Sequence, residues 1–211
     1  MTVTGAHWWI ALLVAVAASA GTTTACGAAD DATQGRFRIP GTDYDLALGG
    51  SVSPSVGPDP KLVHAIVLWL AHEFALPPID HDPAIKVISL DALTSLRYHG
   101  VFPTKNGDES AANGEKAAAG NILAVYSDRD ETIYLAEGWG TPATPAGISV
   151  LVHEMVHHLQ HVMNLRHECP QQREQLAYQA QERWLGLFGH SLETDFNLDG
   201  FSLLAKTRCF F

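Results

Sequence analysis

Apolar positions along the chain change their period several times, and each change marks an element. Leu62, Val63, Ile66, Val67, Leu70, Ala71 and Phe74 recur at steps of three and four, the spacing that places side chains on one helical face. Asp59-Pro60 stands before this stripe as cap and first-turn residue, and Pro77-Pro78 closes it, so a helix is expected from Pro60 to about Phe74. Ile85 to Ser89 is short and β-branched between Pro83 and Asp91, and reads as a strand; Asp91 then caps a short helix through Tyr98, closed by Gly100. Asn121 to Tyr126 and Glu131 to Leu135 are two β-rich runs across the polar turn Ser127 to Asp130, the pattern of a hairpin. Its second strand, just before the next helix, is expected to offer an unpaired edge to an extended peptide.

The most apolar helical stretch follows. Leu151, Val152, Met155, Val156, Leu159 and Met163 cover a wide arc, so a helix begun by Thr144-Pro145 and running to about Asn164 is expected to be buried on much of its circumference. Cys169-Pro170 opens another, Gln171 to about Phe188. Glu174, Ala177, Tyr178, Gln181 and Leu185 share one of its faces, and Ala180, Trp184, Leu187 and Phe188 line the neighbouring one. Phe201 to Leu204 predicts a last short helix.

Between these elements the pattern lapses. Residues 1–26 carry the apolar run His7 to Ala18 and the small-x-small site Ala18-Ser19-Ala20, and read as a signal peptide or a lipoprotein-like leader ending at Cys26. Residues 27–58, rich in Gly, Ala, Asp, Ser, Thr and Pro, read as a loosely ordered lead-in, which leaves 59–211 as the folded domain. Pro103 to Gly120 lacks a large apolar side chain apart from its own flanks and reads as an exposed loop. The acids from Asp195 to Asp199 hint at a calcium loop but lack its later ligands, so a turn is expected there.

Composition narrows the class. The 211 residues are 46% hydrophobic and 17% charged, enough for one sizeable core, and the formal charge of −10 argues against nucleic acid or an anionic membrane as partner. Contact with a membrane is expected only through an N-terminal anchor or a lipid on Cys26. Three cysteines are an odd number for an exported chain. With Cys26 in the leader, Cys169 and Cys209 are the natural pair, the alternative being two free buried thiols.

The chemistry is concentrated in His153-Glu154-Met155-Val156-His157. Residues four apart on a helix lie about 6 Å apart along its axis, so both imidazoles reach one metal ion while Glu154 stands beside it. Two histidines and a carboxylate keep a fourth position on zinc for water, whose proton a nearby base takes. The third ligand is open at this point. Glu174 falls 17 residues after His157, far enough for a second helix to return antiparallel; His167 and Glu168 in the connection are rivals, and His161 is one turn too far along. His64 and His72, with no carboxylate at ligand spacing, read as packing or surface residues.

With Glu174-Gln-Leu-Ala177, this motif resembles the gluzincin group of zinc metallopeptidases. From about Gly120 to Leu185 the chain is more closely similar to a family of small exported bacterial proteins of unknown function, through Leu151 to Gln160, Cys169, Glu174, Ala177, Tyr178, Gln181 and Trp184-Leu185. The gluzincin resemblance implies zinc (Zn2+) on His153, His157 and Glu174, with Glu154 as base. Tyr178 or His190 would donate to the oxyanion, Tyr178 being taken as the catalytic partner. It further implies an α+β, zincin-like minimal domain: a small β-sheet with its hairpin packed on an active-site helix, and a second helix bearing the third ligand. The expected function is hydrolysis of a peptide or protein substrate outside the cytoplasm; the alternative is an exported protein that binds zinc without catalysis, or an envelope binding module. Arg173 stands where thermolysin-like members place Asn, and Tyr178 where other groups place Asp. The residues that orient the two histidines therefore do not follow from the resemblance.

Overall fold

The computed structural model describes residues 35–49, 57–77, 79, 81–97, 123–140 and 143–209. The leader, the 103–120 loop and parts of the lead-in lie outside them. The chain is α+β, and the described residues form two small sheets and six helices: β1 (Arg36–Arg38), β2 (Asp45–Ala47), α1 (Pro60–Phe74), β3 (Ala84–Ile88), α2 (Leu90–Arg97), β4 (Ala124–Ser127), β5 (Thr132–Ala136), α3 (Pro145–Val162), α4 (Pro170–Gly186), α5 (Leu192–Phe196) and α6 (Gly200–Thr207).

The main helices start where their caps dictate. The Asp59 carboxylate accepts the Lys61 N–H at 2.9 Å, and the Thr144 hydroxyl accepts the Gly147 N–H at 3.0 Å, each meeting a donor that the helix itself leaves unpaired. Asp91, expected as a cap, lies inside the first turn of α2 instead, and the Ser89 hydroxyl takes the Ala92 N–H at 3.3 Å.

Strand order in the larger sheet is β3-β5-β4, with β3 parallel and β4 antiparallel to β5. The strand expected at the edge, β5, is therefore central, and β3 and β4 are the edges. Alternation along β5 sorts its two faces. Ile133 and Leu135 join the main core, while Tyr134 and Ala136 meet Leu93 of α2 in a second, smaller cluster.

α3 is the centre of the fold, with every residue from Ile148 to Gln160 buried. α4 lies along it antiparallel: Gln160 meets Arg173 at one end and Ser149 meets Gln181 at the other. Trp184 of α4 packs edge-on against Trp69 of α1, ring centroids 5.3 Å apart. The lead-in is not wholly irregular. Residues 36–47 form an antiparallel hairpin that places Ile39 and Leu46 in the main core. Its turn holds Gly41 at φ +74°, where a Cβ would come within 3.0 Å of the His72 ring. The tail differs from expectation as well, since α5 precedes α6 and Asp199 caps α6 through the Ser202 N–H at 2.7 Å. No described helix is long and apolar enough to cross a membrane.

Candidate metal centre

His153 and His157 project one turn apart from α3, and Glu174 reaches them from α4. His153 Nε2 and His157 Nε2 are 3.2 Å apart, and Glu174 Oε2 lies 3.1 Å from the first and 3.5 Å from the second. Four ligands at about 2.0–2.1 Å around a tetrahedral ion sit about 3.3 Å from one another, so these three edges match half of such a tetrahedron. The group can hold a metal ion. Glu174 is thus the carboxylate that the fold brings to the imidazoles. His167 and Glu168 stay in the connection between α3 and α4, outside the group, and His161 pairs with Asp128 and Glu131 instead.

Hydrogen bonds behind the imidazoles decide where their protons sit. Gln160 Nε2 donates to the Arg173 carbonyl at 2.9 Å, which only accepts, so Gln160 Oε1 is the atom that faces His157 Nδ1 at 3.0 Å. At His153 the chain is one step longer. The Ser149 hydroxyl donates to the Ala146 carbonyl at 2.7 Å and accepts from Gln181 Nε2 at 3.2 Å, which turns Gln181 Oε1 to His153 Nδ1 at 3.1 Å. An amide oxygen accepts only, so both Nδ1 atoms carry the hydrogen and both Nε2 atoms present lone pairs. Three acceptors then converge with no hydrogen among them, in a site where both imidazoles are about nine-tenths buried. Such an arrangement needs a cation, a metal ion or a captured proton, to be stable.

The charges respond accordingly. Burial works to raise the Glu174 carboxyl, but the two imidazoles outweigh it and hold the group well below the usual carboxylate range. Burial works to lower His157, and Glu174 and Glu154 reverse it, so the imidazole sits above its ordinary value.

Glu154 is also buried, and its Oε2 accepts the Tyr126 backbone N–H at 2.8 Å. That donor is available because β4 is an edge. The Leu123 carbonyl accepts from Ala136, so by alternation Ala124 and Tyr126 turn their N–H and C=O away from β5. Tyr178 packs its ring against His153, centroids 4.7 Å apart. Burial first, then the charges of Glu174 and Glu154, push its phenol up to about 12, so it is a hydrogen-bond donor at neutral pH. His190 is exposed and bound to Asp195 at 3.0 Å, and it does not line the cleft. The two residues thus separate, with Tyr178 at the site and His190 away from it. His64 and His72 lie on the surface beside Asp82 and Glu73.

Triad, Glu154 and Tyr178 open onto one cleft of about 980 Å³. Leu123, Ala124 and Tyr126 of the β4 region form one wall and the α5–α6 segment another. Arg173 braces the floor: its guanidinium grips Asp128 of the β4–β5 turn at 2.5 and 2.6 Å and donates to the His157 carbonyl at 3.2 Å. Cys169 and Cys209 form a disulfide, Cα atoms 5.9 Å apart, which bridges the start of α4 to the end of the tail.

The residues that sequence reasoning did not assign are the two glutamines, Arg173 and Tyr126. A signal existed for the glutamines: Gln160 is one turn after His157, and Gln181 is two turns after Glu174 on the same face.

Comparison with known proteins gives one match, a family model described as "Domain of unknown function (DUF6647)" over residues 55–210. No curated protein and no solved structure matches.

Proposed function

The chain belongs to this DUF6647 family, and we propose that it is an exported, zinc-dependent peptidase of zincin-like, gluzincin-type architecture. The observation that carries the reading is the convergence of two imidazole lone pairs and a carboxylate oxygen at 3.1 to 3.5 Å, opening onto a cleft. Imidazole and carboxylate donors in this number suit zinc with one position left open. Bound there, zinc supplies Lewis acidity and lowers the pKa of a water at the open position.

The chain's own groups do the rest. His153, His157 and Glu174 hold the ion, and the glutamine amides keep both imidazoles in the tautomer that binds. Glu154, within the motif and beside the ligand imidazoles in sequence, takes the proton of the attacking water and returns it to the leaving amine. Its bond to the Tyr126 N–H at 2.8 Å fixes the carboxylate in place. Tyr178, protonated at neutral pH, donates to the developing oxyanion. β4 supplies the substrate's seat: among the described residues no strand pairs with its outer side, and the Ala124 N–H and C=O face outward for an extended peptide. The Cys169–Cys209 disulfide supports folding in an oxidising compartment.

The test separates ligand from base. Glu174→Ala is expected to lose most of its bound zinc, measured by elemental analysis, whereas Glu154→Gln keeps zinc and loses at least about 100-fold in turnover of a peptide library. Zinc lost by Glu174→Ala, with no turnover by the zinc-loaded wild type, points to the non-catalytic zinc-binding alternative, whereas zinc retained by Glu174→Ala means that the third ligand lies elsewhere. Normal turnover by Glu154→Gln removes the mechanism.

A further inference from the structure

The cleft's outer wall is the tail of the chain. Thr194, Asp195, Phe196 and Leu198 from α5 and its exit, and Lys206 from α6, line the same space as Glu154 and Glu174. Yet α6 contributes no buried residue, and its Phe201 is 79% exposed and Leu204 47%. A helix that buries so little is held poorly by packing.

Among its described residues the tail has one buried anchor. Leu192 is 1% exposed, and its N–H donates to Glu182 Oε2 at 2.7 Å near the C-terminal end of α4. From there the chain runs back along α4 to its other end, where Cys209 meets Cys169, the residue that caps α4 five positions before Glu174. The tail is thus a strap fastened at both ends of the helix that carries the third ligand, and the second fastening is covalent.

Resting on the zinc-site reading above, we propose that this strap is the access-determining element of the metal cleft: the Cys169–Cys209 disulfide holds α6 in place as a wall that restricts entry to slender, extended chains, and reduction releases it. The triad does not include either cysteine, so release changes access to the ion more than affinity for it. Lys206 leaves the cleft with the released α6, while Asp195 stays with the anchored α5, and the opening widens on that side only, because the opposite wall belongs to the sheet.

The experiment uses the full chain loaded with zinc, oxidised or reduced with a phosphine, and the Cys169→Ser/Cys209→Ser double variant. Two quantities are read: the rate at which a chromogenic chelator extracts the zinc, and amide hydrogen exchange along α6. Reduction is expected to speed extraction at least about tenfold while the equilibrium zinc affinity changes less than about threefold, and to speed α6 exchange with α3 unchanged. Equal extraction rates in the two redox states, or unchanged exchange in α6, overturn the proposal. So does a loss of affinity that accounts for the faster extraction. Should the double variant fail to fold, reduction of folded wild-type protein supplies the same comparison. A wild-type chain that takes up no zinc removes the peptidase reading, and the exchange measurement then decides the strap alone.

Discussion

Gln181 shows what a single residue does at this site and why a sequence conceals it. Its amide spans from the Ser149 hydroxyl at 3.2 Å to His153 Nδ1 at 3.1 Å. Its direction is set by the Ala146 carbonyl two bonds further on. Removing such an orienting partner costs metal affinity about 10- to 100-fold. Gln181→Leu is therefore expected to weaken zinc binding by that factor in a competition titration, while Gln181→Glu, which still accepts from Nδ1, stays close to wild type. Equal affinities for Leu and Gln would mean that the tautomer is fixed by something else. His153, Glu154 and His157 were legible in the sequence because a four-residue step maps directly onto a helical face. Gln181 sat on the correct face beside Glu174 but had no role until its partners on another helix were known. The role of an amide depends on which of its ends is spoken for, and spacing does not carry that information.

Elements were legible in proportion to how much of their burial is periodic. α1, α3 and α4 stand within two residues of expectation because long apolar stripes and Pro at the first turn define them. The β1–β2 hairpin was not seen, since its strands are three residues long and it buries only isolated side chains, Leu46 in β2 and Ile39 just after β1, among polar neighbours. Strand order was likewise hidden: which of β4 and β5 lies at the edge depends on β3 pairing in parallel from about 45 residues away, a choice local pattern does not encode. The seat of α4 gives a test at this scale. Trp184 is fully buried and stacked edge-on to Trp69, so Trp184→Ala is expected to cost about 3–5 kcal/mol in denaturant unfolding. Saturating zinc should restore part of it by mass action, because Glu174 on the same helix is a ligand. An unaltered midpoint in the variant would show that α4 is seated by other contacts.

At the scale of the whole chain, a covalent link and an ion hold the same helix, and they respond to different conditions. The disulfide closes a separation of 40 residues, which corresponds to about 4 kcal/mol in the chain-entropy account. That contribution is independent of zinc; the ion's is governed by pH. The Glu174 carboxyl is held below its ordinary value, so its stabilising interaction is present above that value and fades as pH falls through the depressed one. His157 is held above its ordinary value, so its share is complete below pH about 6.5 and is lost as pH rises through the raised value. The metal-free fold is accordingly most stable in the mildly acidic range, where Glu174 is charged and a proton sits among the three acceptors. Zinc must displace that proton. While one proton is released per ion, apparent affinity rises up to tenfold per pH unit, or about 1.4 kcal/mol. For a chain of this size that is about 3–5 °C. The expected result is that the difference in Tm between zinc-loaded and metal-free protein grows by up to this amount per unit as pH rises towards the raised value of His157, while the metal-free Tm declines once pH passes about 6.5. A difference that stays flat as pH rises would show that no proton is displaced, and the picture of a proton captured among the three acceptors would have to be abandoned.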